Sequence, residues 1–236
     1  MIDDYRSRLY EAYASTHAGY ADAESGVPAF KRDIAPHLPA DKSARIVDLG
    51  CGQGQLVSRL QSSGYTNAHG IDISPEQVQL AQAAGIDQVE LGDFRVAFKP
   101  RSLDAVVATD FFEHLTRPEV VEAFDRVHES LGPGGVLILR VPNSVSPFVG
   151  NVRYGDMTHE TSFTPRSLRQ LAANTGFAET RFYPCNPPVH GIMSFVRSLI
   201  WRLASGVMKL CLASETGQLR GNVVSQNVVA VLYKKT

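Results

Sequence analysis

The stretch Val47-Asp48-Leu49-Gly50-Cys51-Gly52-Gln53-Gly54 decides how the chain is read. It closes a short apolar, β-branched run over residues 44–50. Residues 55–63 follow, with Leu56, Val57 and Leu60 at helical spacing. Gly50, Gly52 and Gly54 let the backbone turn sharply and let a ligand come close, facing the N-terminus of the next helix. Alone, such a turn is weak evidence, because nucleotide-binding folds of several kinds use it.

The same unit, an apolar run followed by a turn and an amphipathic helix, recurs on both sides. Residues 68–73 read as a second strand. Ser74-Pro75-Glu76-Gln77 then caps a helix that reaches about Ala84 and stops at Gly85. Residues 89–92 form a short third strand, and 103–109 (LDAVVAT) suit a strand buried on both faces. A helix over 118–131 ends in the turn Gly132-Pro133-Gly134-Gly135, which leads into a fifth strand over 136–141. Thr164-Pro165-Arg166-Ser167 caps a helix ending at Gly176, and residues 178–183 and 228–233 supply two more strands. Alternating strands and helices predict an α/β fold, a mostly parallel sheet with helices on both faces.

Two stretches break this rhythm. Residues 1–40, with Tyr5, Tyr10, Tyr13, Tyr20 and Phe30, are expected to form an N-terminal helical lid. Residues 186–226 are too long for an ordinary loop and are expected to be a structured insertion. The expected organisation is one domain over 1–236: the lid, a core over 41–185, the insertion, and a final strand over 227–236.

Composition agrees with a single globular domain. The 236 residues are 44% hydrophobic and 20% charged, with a net charge of -1. That balance gives no electrostatic bias toward phosphate backbones, so nucleic acid is not expected as a partner. The three cysteines, Cys51, Cys185 and Cys211, have no metal-ligand or disulfide-framework spacing, and no metal site is expected. The first residues lack a basic start followed by an apolar run, which gives the expectation of a cytoplasmic protein.

Ligands of open α/β sheets bind outside the carboxyl ends of the strands. Asp72 (GIDIS) falls at the end of the second strand, where a carboxylate can accept from both hydroxyls of a ribose. Asp93 (GDF) falls at the end of the third, placed to accept from an adenine amino group. With the glycine turn and the Gly-Pro-Gly-Gly approach to the fifth strand, these features resemble the class I S-adenosylmethionine-dependent methyltransferases over residues 44–183. The resemblance implies a Rossmann-like seven-stranded sheet whose last strand is antiparallel. It implies S-adenosylmethionine as cofactor and S-adenosylhomocysteine as product. Asp48, Gly50, Cys51, Gly52 and Gly54 are then expected around the methionine part. Asp72 with Ile73 is expected at the ribose and Asp93 with Phe94 at the adenine. Asp110 is expected to border the methionine end and the acceptor.

The acceptor is less legible. The Asn/Asp-Pro-Pro-aromatic motif of some amino-methylating enzymes is missing; that position reads Asp110-Phe111-Phe112-Glu113-His114. After the fifth strand, Arg153-Tyr154-Gly155-Asp156-Met157-Thr158-His159-Glu160 lies at the ligand-binding edge. Its Tyr154, Asp156 and His159 can bind a polar acceptor, with His159 the first candidate base, or His159 can simply brace the loop. His114 is the second candidate, with packing behind the cofactor as its other reading; His17 and His190 are weaker. The Tyr-x-Asp-x-Thr-His-x-x-x-Phe-Thr pattern resembles bacterial methyltransferases of surface-polysaccharide assembly. That implies O-methylation of a small-molecule or glycan acceptor, such as a sugar hydroxyl on a glycan or its precursor.

Within the insertion, Ile192, Met193, Val196, Leu199, Ile200, Leu203, Val207 and Cys211 recur at helical spacing, with Ser198, Arg202, Ser205 and Lys209 opposite. Such a basic amphipathic helix over 192–212 can pack on its own domain, which is the commonest use, cover a site, form a dimer contact, or lie at a membrane surface. The last use would place the protein at the inner face of a membrane. The oligomeric state stays open. Two other functions compete: a nicotinamide-dependent oxidoreductase, whose Gly-x-Gly-x-x-Gly would need glycine at Gln55, and a protein that holds the cofactor without catalysis.

Overall fold

A computed structural model describes residues 9–10, 13, 27–96, 99–218 and 221–236. Tyr5, Tyr20 and His17 lie outside the described residues, as does most of the stretch expected to form a lid. What is described of that stretch before the sheet is Tyr10, Tyr13 and a run of short helical turns over Val27–Ala29, Phe30–Ile34 and Ala35–His37.

The first strand, β1 (Ile46–Leu49), is buried at every position, as its apolar sequence requires. Gly54 stands in left-handed backbone before α1 (Gln55–Ser62), and a Cβ there would lie 2.7 Å from Val89 Cγ2. After β2 (Ala68–Asp72) comes α2 (Pro75–Ala83), with Ser74 at its N-cap accepting from the Gln77 amide and Pro75 at its first turn. The chain continues through β3 (Val89–Leu91), β4 (Leu103–Thr109) and α3 (Arg117–Ser130). A Thr116–Glu119 capping box opens α3 and satisfies amides that the helix cannot.

The Gly-Pro-Gly-Gly segment is not a free turn between helix and strand. β5 runs over Leu131–Pro142 and contains it. Leu103 of β4 pairs with Leu131 while Ala105 pairs with Val136, so residues 132–135 are taken up as an irregularity in the ladder. Next come α4 (Val149–Arg153), α5 (Pro165–Thr175), β6 (Glu179–Pro184), α6 (Ile192–Thr216) and β7 (Asn227–Tyr233). Gly176, in left-handed backbone, ends α5.

The seven strands form one sheet in the order β3-β2-β1-β4-β5-β7-β6. β1 to β5 pair in parallel, and β7 runs antiparallel between β5 and β6. This is the Rossmann-like sheet with an antiparallel last strand. Alternation along each strand splits the core in two. Val47, Val106, Leu137 and Leu232 pack under Phe124 and Val127 of α3 and Leu168 of α5. Ile46, Val107, Ile138 and Val231 pack with Phe30, Ile34 and Leu60 on the other face. Strand order reverses between β1 and β4, the position at which such sheets open a crevice.

Candidate active site

A cavity of about 490 Å³ opens at that reversal, within the size range of small-molecule sites. Its floor is the glycine turn. Gly50 has φ of +73°, and a Cβ there would lie 2.7 Å from the Phe111 ring, so both conformation and space require glycine. Phe111 stands edge-on to Phe94 and to Phe112, which leads on to Phe124 in the core.

Asp72 holds the turn and the next helix together. Its Oδ2 accepts from the Gly52 amide and its Oδ1 from the Ser74 amide, both at 2.8 Å. Burial raises its carboxyl affinity for protons, and these backbone hydrogen bonds oppose the rise. Asp93 accepts from the Arg95 amide at 2.9 Å and from its guanidinium at 2.8 Å. Arg95 also reaches Glu119 at 2.7 Å and lies over the Phe94 ring. Neither Arg95 nor Glu119 drew attention in the sequence; both line the cavity.

Gly50, Gly52, Asp72, Ile73, Asp93, Phe94, Asp110 and His114 line the cavity; Asp48, Cys51 and Gly54 do not. Asp48 is buried in β1, where desolvation, with the nearby Asp72 charge adding to it, pushes its carboxyl up to about 8. Its Oδ1 has no hydrogen-bond partner among the described residues. Burial likewise raises the Cys51 thiol, which packs toward Gly70. It has the character of a small filler rather than a nucleophile.

The far end of the cavity is built from distant segments. Tyr10 and Tyr13 come from the N-terminal stretch, Asp110 and His114 from the carboxyl end of β4. Asp110 has φ of +55°, a strained conformation for a residue with a side chain, and pairs with buried Arg140 of β5. The Tyr13 hydroxyl donates to Asp156 Oδ2 at 2.8 Å across 143 positions of sequence. The Thr158 hydroxyl donates to Asp156 Oδ1 at 2.6 Å and meets His114 Nδ1 at 2.8 Å. His159 lies behind His114, ring centroids 4.7 Å apart, with its Nδ1 against the Val152 carbonyl at 2.8 Å. His159 and Asp156 stand just outside the cavity lining. Tyr154 is 78% exposed, with the Arg153 guanidinium over its ring, and does not line the cavity. His190 is exposed beside the start of α6.

Burial sets the charges here. It lowers His114 to about 4, with neighbouring His159 acting in the same direction. It also lowers His159, against the pull of Asp156. Burial alone would raise Asp156, but hydrogen bonds from Thr158 and Tyr13 outweigh it and bring the carboxyl to about 2. Two neutral imidazoles therefore adjoin a firm carboxylate near pH 7. Glu113, fully buried beside them, is raised well above the carboxylate range by desolvation and by Asp110. His114, Asp156 and His159 also bring one ligand atom each within 4.8 Å of one another. Such a set can hold a cation, and the sequence had raised no metal site; the hydrogen bonds just described engage Asp156 and the Nδ1 atom of each ring.

A glycine turn at the reversal of strand order, with carboxylates at the ends of β1, β2 and β3, defines a cofactor-binding α/β domain. The chain belongs to the methyltransferase-domain family, whose model matches residues 23–180, and S-adenosylmethionine is the family's cofactor. It is 26% identical over 148 residues to trans-aconitate 2-methyltransferase of Rhizobium leguminosarum bv. trifolii, covering 59% of this chain and 56% of that protein. It is 26% identical over 153 residues to ubiquinone biosynthesis O-methyltransferase of Xylella fastidiosa, covering 59% and 61%. The chain thus spans little over half the length of these curated relatives. Its fold resembles a crystal structure of a methyltransferase dependent on S-adenosylmethionine from Archaeoglobus fulgidus. The TM-score is 0.69 at 18% identity, over 94% of this chain and 99% of that one. It also resembles phosphoethanolamine N-methyltransferase 2 of Haemonchus contortus, crystallised with S-adenosylmethionine. There the TM-score is 0.66 at 16% identity, over 96% and 57%.

The residues fit the cofactor. The glycine cradle at Gly50 is space that a Cβ would fill, and the buried Asp48 beneath it keeps an oxygen open to a donor.

Proposed function

We propose that this chain transfers a methyl group to a hydroxyl oxygen of a small polar acceptor, a sugar hydroxyl on a glycan or its precursor. The carrying observation is the end of the cavity lined by Tyr13, Asp110 and His114, with Asp156 and Thr158 hydrogen-bonded behind Tyr13 and His114. When bound, S-adenosylmethionine supplies an electrophilic methyl carbon. Gly50 and Gly52 would admit it, Asp72 would bind its ribose hydroxyls, and Asp93 with Phe94 would meet its adenine. Asp48, buried beneath the glycine turn and raised to about 8, would gain its negative charge only beside a bound cation such as the methionine ammonium.

At the acceptor end, His114 is the imidazole on the cavity wall, which moves first choice of base from His159 to His114. His114 takes the hydroxyl proton; Thr158 and Asp156 orient its ring, and His159 backs it. Tyr10, Tyr13 and Phe111 offer aromatic surface that excludes water from the transfer. Two carboxylates, Asp110 and Asp156, disfavour a polyanionic acceptor such as the tricarboxylate named for the Rhizobium relative. They equally suit an ammonium, so an amine is the second reading.

The test is transfer of labelled methyl from S-adenosylmethionine into panels of neutral sugars, nucleotide sugars, carboxylic acids and amines. Label in the sugar panels is the expected result. Label confined to amines or acids overturns the glycan reading while leaving the methyltransferase assignment intact.

A further inference from the structure

Helix α6 carries its apolar side away from the domain. Ser194, Ser198, Trp201, Ser205, Met208 and Leu212 recur at steps of three and four and are its buried or half-buried face. On the opposite side Ile192, Val196, Leu199, Leu203, Val207 and Leu210 follow the same steps in the open. Ile192 is 83%, Leu203 74% and Leu210 68% exposed. The expectation that such a helix packs its apolar stripe on its own domain is therefore reversed: a narrower face of three serines with Trp201, Met208 and Leu212 turns inward. A contiguous exposed apolar surface of this kind marks an interaction site.

The charges around the stripe say what kind. By helical geometry Arg197 flanks it on one side, Arg202 and Lys209 on the other. Residues 191–214 contain no Asp or Glu, in a chain whose net charge is -1. Two copies meeting along this stripe would bring like charges together. An anionic surface meets them favourably. Among the described residues no helix is long and apolar enough to cross a membrane.

We propose that α6 is a docking surface for an anionic lipid bilayer. The helix lies in the interface plane with the stripe at the headgroup–acyl boundary and the three cations among the phosphates.

The experiment is co-sedimentation of the full chain with vesicles of phosphatidylcholine, alone or mixed with phosphatidylglycerol. At about 1 kcal/mol per cation, partitioning should favour the mixed vesicles by on the order of 100-fold. It should fall as salt is raised. The double variant Leu199→Glu/Leu203→Glu changes only exposed positions. It should sediment no more than a vesicle-free control while binding S-adenosylhomocysteine as the parent does. Equal sedimentation with and without vesicles overturns the proposal, as does vesicle binding that the double variant retains. Light scattering that shows a parent dimer, dissociated by the double variant, assigns the stripe to a second copy and overturns it too.

Discussion

The two ends of the cavity are built by different means. At the cofactor end the contacts run from carboxylates to backbone amides: Asp72 is held by amides of Gly52 and Ser74, and Asp93 by that of the residue two positions on. At the acceptor end they are long-range and between side chains, joining Tyr13, His114, Thr158 and Asp156. The first end forms where the carboxyl ends of β1, β2 and β3 meet in the parallel sheet. The second exists only once three distant segments have been brought together. The cofactor end thus depends on backbone conformation as well as on its two carboxylates, the acceptor end on side-chain identity.

The largest effect should come from Gly50→Val. Left-handed backbone costs about 1–2 kcal/mol for a residue with a side chain, and overpacking against Phe111 about 1–3 more. Thermal denaturation should show the loss, together with failure to bind S-adenosylhomocysteine. A parent-like melting temperature would break the comparison at its cofactor end.

Asp72→Ala removes charge-assisted hydrogen bonds worth about 1.5–3 kcal/mol each. Calorimetry should then find cofactor affinity weakened by about tenfold or more, and unchanged affinity removes Asp72 from the site. At the other end, His114→Gln should lower turnover by about 10²–10⁴-fold if it is the base. Cofactor affinity should stay close to that of the parent. Parent-like turnover in His114→Gln, with a loss in His159→Gln, returns the base to His159.

The smallest effect is one of pH. His114 titrates at about 4 in the folded chain and at about 6.5 when unfolded. The unfolded state therefore binds the extra proton between these values, and stability falls as pH drops through that window. Asp48, raised to about 8, works oppositely: its folded form takes up a proton first, so stability grows as pH falls from 8 toward 4. Urea unfolding of His114→Gln at pH 7 and pH 5 should show a smaller acid loss than the parent, leaving the Asp48 contribution. Identical pH dependence in the two proteins would mean that His114 is solvated rather than buried.

The same division governs what the sequence made legible. The turn at 50–54, the Ser74 and Thr164 caps and the buried β4 run are patterns within a few residues, and each element lies where its pattern predicts. Gly132–Gly135 read as a turn because four breakers in a row carry no record of the ladder that absorbs them. Arg140 sat unnoticed inside the apolar run VLILRV. Its burial makes sense only beside Asp110 of the neighbouring strand. Tyr13 and Asp156 gave no mutual signal, since nothing periodic links them. The helical spacing of α6 was plain, but periodicity fixes which residues share a face and not which way that face turns.

The hairpin that frames α6 has a practical meaning. Pro184 and Val228 are ladder partners in adjacent antiparallel strands, so the stems of β6 and β7 already stand side by side. Everything between them enters and leaves the sheet through one doorway a strand's width across. Cys185 and residues 223–227 belong to the sheet's packing, buried or bonded to Asn143 and Pro142. What lies between them, α6 included, is thus a cassette: it can be exchanged between relatives or replaced by a tether, while the sheet and its cavity keep their own architecture.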